Sequence, residues 1–148
     1  MSARPTAAQE AELYRAAAAA MKLAHAPYSR FLVGAALLSA GGRIYAGCNI
    51  ENASYGATTC AERNAIAHAV MAADKEIVAV LVITATEHPT FPCGMCRQVL
   101  AEFNPRMLVI STTVDGGRAE ASLETLLPSN FSQSDLEAAE TLRGARHL

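Results

Sequence analysis

Residues 77–85 read Ile-Val-Ala-Val-Leu-Val-Ile-Thr-Ala, a run of apolar and mostly β-branched side chains. A run of this kind without polar alternation is typical of a strand that is buried on both faces of a sheet. Helix-forming segments lie on either side, at residues 60–73 and 93–103, and a second apolar strand is predicted at residues 107–113. A strand, a helix and a strand in succession favour a parallel crossover.

The segments before this unit predict a helix and a β-hairpin. Residues 6–9 have the form of a capping box, and the alanine-rich stretch after them predicts a helix that runs to about His25. Residues 31–39 and 43–50 are rich in apolar side chains and flank an Ala-Gly-Gly turn. This arrangement predicts two antiparallel strands.

The end of the chain predicts smaller elements. Residues 115–117 read Asp-Gly-Gly and indicate a turn, and residues 123–127 predict a short helix. Residues 134–137 have the form of a second capping box, which would open a C-terminal helix. The whole order predicts an α/β fold: a three-layer α/β/α domain with a mixed sheet of about five strands and helices on both faces. We expect residues 1–148 to form this single domain.

Length and composition exclude several classes of protein. The chain has 148 residues, of which 51% are hydrophobic and 18% charged, so it can bury a core and is not mainly disordered. Its longest apolar run, at residues 77–83, is far too short to span a membrane. Glu10 and Glu12 precede the apolar residues 16–21, which argues against a signal peptide. We therefore expect a cytoplasmic protein that binds no membrane.

Charge and cysteine content narrow the chemistry further. The formal net charge is −2, and no basic run occurs, whereas proteins that neutralise many phosphates cluster lysine and arginine. A nucleic-acid partner is therefore not expected. The chain has four cysteines and no secretory signal, a combination that favours metal binding or redox chemistry over a disulfide framework.

Three cysteines have the spacing of metal ligands. Cys93 and Cys96 are three residues apart at the start of a predicted helix, so their sulfurs point the same way, and Cys60 opens another predicted helix. Helix N-termini stabilise thiolates, which is the form that binds zinc. Three protein ligands, with the fourth position left for water, are the pattern of catalytic zinc. Zinc lowers the pKa of such a water to near neutrality.

Glu62 and Arg63 follow Cys60 directly. A carboxylate at Glu62 could accept and deliver protons beside the zinc-bound water, and Arg63 could hydrogen-bond a ligand thiolate and offset its negative charge. Residues 60–62 and 92–96 together match the Cys-x-Glu and Pro-Cys-x-x-Cys signature of zinc-dependent nucleobase deaminases, in which the glutamate is an acid/base and not a ligand.

The residues alone leave other interpretations open. Residues 93–96 also match the Cys-x-x-Cys pair of a thiol oxidoreductase, which needs neither zinc nor Glu62. A zinc-stabilised binding module would lack catalysis, and a structural site could use Cys48 as well. Cys48 lies in a predicted strand, where we interpret it as a small buried hydrophobic residue. His68 lies on the predicted zinc helix without ligand spacing, and we expect a structural role for it.

Five segments resemble the small, homotetrameric, zinc-dependent cytidine deaminases: residues 26–37, residues 47–55, the Cys60 motif, the Cys93 motif, and residues 126–128 with Phe131. They span most of the chain. The Asn49-Ile50-Glu51-Asn52 segment narrows the resemblance from the wider deaminase superfamily to the nucleoside enzymes. Blasticidin S deaminases share the zinc motif and are the alternative, against which this segment argues.

The resemblance implies hydrolytic deamination of cytidine and 2′-deoxycytidine to uridine and 2′-deoxyuridine plus ammonia, in pyrimidine salvage. It implies one zinc ion per chain on Cys60, Cys93 and Cys96, with Glu62 as proton shuttle and Arg63 hydrogen-bonded to the thiolates. The substrate contacts that it implies are Asn49 and Glu51 at the ribose 3′-hydroxyl, the Ala61 backbone N–H at the pyrimidine carbonyl, Phe31 against the base, and Ala53, Tyr55 and Phe131 reaching a neighbouring subunit's site. From the residues alone, the favoured interpretation of Asn49, Glu51 and Asn52 is as turn and capping residues, and only the resemblance makes substrate contacts of Asn49 and Glu51.

Overall fold

The central sheet is flanked by helices on both faces in the computed structural model, which describes residues 4–146. Within these residues the strands and α helices are, in chain order, α1 (Ala7–Met21), β1 (Val33–Ser39), β2 (Ile44–Cys48), α2 (Ala61–Met71), β3 (Ile77–Thr84), α3 (Gly94–Phe103), β4 (Leu108–Thr113), β5 (Arg118–Ser122), α4 (Leu123–Leu126) and α5 (Gln133–Arg146). A 3-10 turn at Tyr55–Ala57 precedes α2.

The sheet has the strand order β2-β1-β3-β4-β5. Strand β3 is central and pairs with β1 antiparallel and with β4 parallel, while β4 and β5 are antiparallel. Because β3 has a neighbour on each side and helices above and below, seven of its eight residues are buried. The mixed five-stranded sheet and the parallel crossover through α3 are therefore as predicted.

A hydrophobic core lies on each face of the sheet, between the strands and the helices that cover them. Helix α1 packs on one face of the sheet, against β1, β2 and β3, and buries Leu13 and Ala17 there. Helices α2 and α3 pack on the other face with residues such as Leu37, Val82 and Leu100. The three-layer α/β/α prediction is confirmed by this arrangement. The capping box at α1 is present too, since Thr6 and Gln9 exchange hydrogen bonds between side chain and backbone.

Two predicted helix boundaries were wrong. Helix α1 ends at Met21, before the predicted His25, because the His25 N–H donates instead to the Asn49 carbonyl in an extended bridge. Helix α5 begins at Gln133, before the predicted Ser134. The backbone N–H and hydroxyl of Ser132 both donate to the Asp135 carboxylate, so the capping pair lies two residues earlier than the predicted one.

Two expectations concern the chain as a whole. Among residues 4–146, each helix is too short or too polar to cross a membrane. The assignment of residues 1–148 to one domain stays a prediction, because residues 1–3 and 147–148 lie outside the described part of the chain.

Gly47 lets β2 and α2 approach each other at backbone distance. A Cβ atom added at Gly47 would lie 2.4 Å from the Ala65 nitrogen and 2.6 Å from the Ala61 carbonyl oxygen. Since real Cβ atoms do not make such contacts, a larger residue would push the first turns of α2 away from the sheet. The close approach therefore fixes where α2 begins.

We expect Gly47→Ala to destabilise the fold by about 1–3 kcal/mol through overpacking. Gly41→Ala is the matched control, because its added Cβ would meet only Ser39 Oγ, at 3.8 Å, and should change stability by less than about 0.5 kcal/mol. Urea unfolding of the two variants measures the difference. Equal midpoints for Gly47→Ala and the parent chain would contradict the packing argument.

Candidate metal centre and active site

The three predicted metal ligands lie at the N-termini of two helices. Cys60 is the residue before α2, Cys93 is the residue before α3, and both have extended backbones, with ψ of 157° and 165°. Cys96 lies on the first turn of α3 and is buried. Helices α2 and α3 pack against each other on the same face of the sheet, so their starts meet.

The sulfur geometry fits zinc. The Sγ atoms of Cys60 and Cys93 are 3.9 Å apart, and the sulfurs of Cys60, Cys93 and Cys96 all lie within 4.8 Å of one another. Thiolates bound at 2.3 Å to a tetrahedral zinc ion lie about 3.8 Å apart. The cysteines are free, as disulfide sulfurs would be separated by only about 2.05 Å.

The other two candidate ligands do not join this cluster. Cys48 ends β2, and it is half-buried where the sequence predicted a small buried hydrophobic residue. His68 points its ring at Tyr45, with centroids 5.5 Å apart, and its Nδ1 lies 3.4 Å from the Ala46 carbonyl oxygen. Both residues therefore have structural surroundings.

Arg63 supplies a positive charge beside the sulfurs. Its Nη2 donates to the Thr58 carbonyl at 3.0 Å and lies 3.8 Å from Cys60 Sγ. Its Nε is buried and has no hydrogen-bond partner within residues 4–146. The guanidinium therefore has one further N–H group that could donate to an acceptor at this site. Hydrogen bonds from Cys96 and Arg63 lower the pKa of Cys60 to about 5, and the same coupling raises the pKa of Cys96.

Glu62 is a buried carboxyl group next to the cluster. Only 4% of Glu62 is exposed, and Cys96 Sγ donates to its Oε2 at 3.6 Å. Burial raises the pKa of Glu62, and the negative charge of Cys60 raises it further. A raised pKa favours the protonated form, so this carboxyl group can hold a proton as well as accept one, as a general acid/base must.

One pocket of about 470 Å³ joins these groups to the predicted nucleoside contacts. Its lining includes the metal-ligand candidates Cys60 and Cys93, the acid/base candidate Glu62, and three predicted substrate contacts, Phe31, Asn49 and Glu51. The pocket therefore brings thiols, a buried carboxyl group, an amide and an aromatic ring into one space.

Asn49 and Glu51 both hold the segment at residues 28–33. Asn49 Oδ1 accepts from the Val33 N–H at 2.9 Å, and its Nδ2 donates to the Phe31 carbonyl at 2.7 Å. Glu51 accepts from the backbone N–H groups of Tyr28 and Ser29, at 2.9 and 3.2 Å, and from the Ser29 hydroxyl. Both side chains therefore have a structural role, but it is to hold a distant segment and not to cap a turn of their own.

The remaining predicted contacts differ in position. Ala61 is buried in the first turn of α2, where backbone N–H groups lack partners within the helix. Phe31 lies before β1 and is 41% exposed. Ala53 is exposed, Tyr55 is 75% exposed and Phe131 is 60% exposed, and within residues 4–146 all three lie outside the lining of the pocket.

Sequence reasoning missed several residues that line the pocket. Val82 and Thr84 are two residues apart on β3 and share a face, and Phe91 directly precedes the Pro92 motif. The two-residue period of the strand could have placed Val82 and Thr84 together. Nothing in the sequence indicates that Phe91 turns into the same space as Phe31.

The lowered pKa of Cys60 makes a prediction about thiol reactivity. In zinc-free protein carrying Cys48→Ser, iodoacetamide at neutral pH should alkylate Cys60 faster than Cys96, because the thiolate is the nucleophile. Labelling of Cys60 should decline as the pH falls through about 5. Peptide mass spectrometry measures both rates. Added zinc should protect Cys60, and faster labelling of Cys96 would contradict the assignment.

Comparison with known proteins gives consistent matches. The family model for the cytidine and deoxycytidylate deaminase zinc-binding region matches residues 7–112. A cytidine deaminase from Sporosarcina psychrophila is 49% identical over 121 residues, which cover 81% of this chain and 89% of that protein. A cytidine deaminase from Halalkalibacterium halodurans is 44% identical over 125 residues, covering 84% of this chain and 95% of that one.

Solved structures agree with these sequence matches. The crystal structure of a cytidine deaminase from Burkholderia pseudomallei superimposes with a TM-score of 0.79 at 44% identity, covering 82% of this chain and 98% of that one. The zinc-binding region matched by the family model includes Cys60, Cys93 and Cys96, whose spacing fits one zinc ion per chain. The chain therefore belongs to the cytidine deaminase family of zinc-dependent enzymes.

Proposed function

We propose that the chain hydrolyses the C4 amine of cytidine and 2′-deoxycytidine, giving uridine or 2′-deoxyuridine and ammonia. One observation carries this proposal: the buried Glu62 carboxyl group contacts the three-thiol cluster inside a pocket that also contains Asn49 and Glu51. The names of the relatives support the choice of substrate. The proposed setting is pyrimidine salvage in the cytoplasm.

Cys60, Cys93 and Cys96 would hold the zinc ion, with Arg63 donating to the Cys60 sulfur. When bound, zinc supplies an activated water at neutral pH. Three thiolates carry much negative charge, which would weaken zinc as a Lewis acid. The positive guanidinium beside them would offset part of that charge.

Glu62 is the proposed carrier of protons. Its carboxylate takes a proton from the attacking water and delivers it to N3 of the cytosine ring, which makes C4 more electrophilic. It then takes the second proton of that water and delivers it to the leaving amine, so that ammonia departs and a carbonyl remains at C4. The contact with Cys96 and the burial of Glu62 keep the carboxyl group at the reacting end of the pocket.

The other pocket residues orient the nucleoside. We assign the Ala61 N–H to the pyrimidine carbonyl oxygen, because an N–H group in the first turn of α2 has no partner within the helix, and the Phe31 ring to the base. After their bonds to residues 28–33, and counting partners among residues 4–146, Asn49 Nδ2 keeps one hydrogen and Glu51 Oε1 keeps one lone pair. A sugar hydroxyl both donates and accepts, so it matches this remaining pair.

Glu62→Gln should lower kcat for cytidine and 2′-deoxycytidine by about 10²–10⁴-fold while zinc content stays at one per chain, because the amide cannot carry a proton. Glu102→Gln on the exposed side of α3 is the matched control and should leave kcat unchanged. Ultraviolet absorbance follows the conversion. If the zinc-loaded parent chain turned over blasticidin S but neither nucleoside, the chain would be a blasticidin S deaminase instead. The names of the relatives do not favour that alternative.

We also propose a homotetramer in which subunits share their active sites. Tyr55 and Phe131 are large aromatic residues that stay exposed, and with Ala53 they lie outside the pocket of their own chain within residues 4–146. Aromatic residues are enriched where protein chains contact each other. A neighbouring subunit that inserts them would complete the pocket.

Mixing two impaired variants tests this sharing. Glu62→Gln chains keep Phe131, and Phe131→Ala chains keep Glu62, so hybrid oligomers would contain sites with both residues. After joint refolding, specific activity should exceed the mean of the two separate variants. Analytical ultracentrifugation measures the oligomeric state. The control mixture contains Glu62→Gln and Glu102→Gln chains. Activity equal to the mean would contradict shared sites.

A further inference from the structure

Ser29 occupies a position between the two groups that the proposed function assigns to sugar and base. Its hydroxyl donates to Glu51 Oε1 and accepts from the Phe31 N–H at 3.0 Å. Ser29 also lines the pocket itself. One hydroxyl therefore connects the carboxylate proposed to bind the sugar with the backbone of the residue proposed to pack on the base.

The loop that carries these bonds has a strained conformation. Arg30, between Ser29 and Phe31, has a φ of 58°, in the left-handed region that residues with a Cβ seldom adopt. Strain of this kind persists where surrounding contacts over-determine it. Here the contacts are the three bonds to Glu51 and the Ser29–Phe31 bond, together with the Arg30 N–H bond to the Ala26 carbonyl.

The acceptor sites of Glu51 explain why Ser29 matters for ligand binding. A carboxylate has about four acceptor positions. On Oε2, two are taken by the Tyr28 and Ser29 N–H groups, and on Oε1 one is taken by the Ser29 hydroxyl. The position that remains is on Oε1. A sugar hydroxyl would therefore bind the same oxygen as Ser29, whose hydrogen bond helps to hold the carboxylate in the orientation that decides where the remaining lone pair points.

We propose that Ser29 is a positioning residue that couples sugar recognition at Glu51 to the placement of Phe31. The coupling rests on the proposed nucleoside substrate, and it predicts that the loop and the carboxylate respond together when the Ser29 hydroxyl is removed. Tyr28 is the informative reporter, because its N–H bonds to Glu51 and makes no bond to the Ser29 side chain.

Hydrogen–deuterium exchange resolved to single amides tests the coupling in the zinc-loaded protein without substrate. Ser29→Ala should speed exchange at Phe31, which loses its acceptor, and also at Tyr28, each by about tenfold, the effect of losing roughly one hydrogen bond. Ser29→Thr keeps a hydroxyl and should restore both rates. Ser134→Ala, on the exposed α5, should change neither. Faster exchange at Phe31 alone would overturn the proposal.

Kinetics separate positioning from a general loosening of the loop. Ser29→Ala should raise KM for 2′-deoxycytidine by about tenfold with kcat within about twofold, and 2′,3′-dideoxycytidine, which lacks the 3′-hydroxyl, should lose less. An equal loss of kcat/KM for both nucleosides would overturn the proposal. If the parent chain turns over neither nucleoside, the proposed function fails, while the exchange rates at Tyr28 still decide whether Ser29 and Glu51 are coupled.

Discussion

The backbone contact between β2 and α2 at Gly47 is the constraint on which the site depends. It holds the first turns of α2 against the sheet, and these turns carry Ala61 and Glu62 directly after Cys60. The Asn64 amide reinforces the contact by donating to the Cys48 carbonyl at 2.7 Å, next to Asn49. The contact between β2 and α2 therefore positions both the thiol end of the pocket and Asn49, whose amide holds residues 28–33.

The parts of the fold that local chemistry determines could be predicted from the sequence. Strand β3 lacks polar alternation because it is paired and covered on both faces, and the Thr6–Gln9 pair caps α1 through contacts three residues apart. Helix ends that depend on distant residues could not. His25 leaves the helical path to pair with Asn49, which is 24 positions away in the chain. The start of α5 was misplaced for a local reason, because two serines stand three residues before an acidic residue and Ser132, not Ser134, forms the capping pair, with Asp135.

The site divides in the same way. The spacing of the cysteines and Glu62 predicts one cluster because both motifs begin helices, and the geometry brings their side chains together. Asn49 and Glu51 read as either structural or substrate residues, and their hydrogen bonds explain the ambiguity, since one side chain can do both when it keeps a free donor or acceptor. Phe91 lines the pocket because segments that are distant in the sequence pack together there. Packing of this kind produces no recognisable sequence pattern.

Hydrogen bonds keep the three sulfurs near the spacing that zinc requires. Cys60 accepts from Arg63 and lies 3.9 Å from the Cys93 sulfur, while the single Cys96 thiol proton lies between two acceptors, Cys60 and Glu62. Zinc ligands must be deprotonated, so zinc binding would release the thiol protons, and the 3.9 Å between the Cys60 and Cys93 sulfurs is already close to the separation of two thiolates on zinc. Glu62 would then lose the Cys96 proton that it accepts in this arrangement. Its Oε2 would then be available to accept a proton from water, so deprotonation of Cys96 would prepare Glu62 to act as a base.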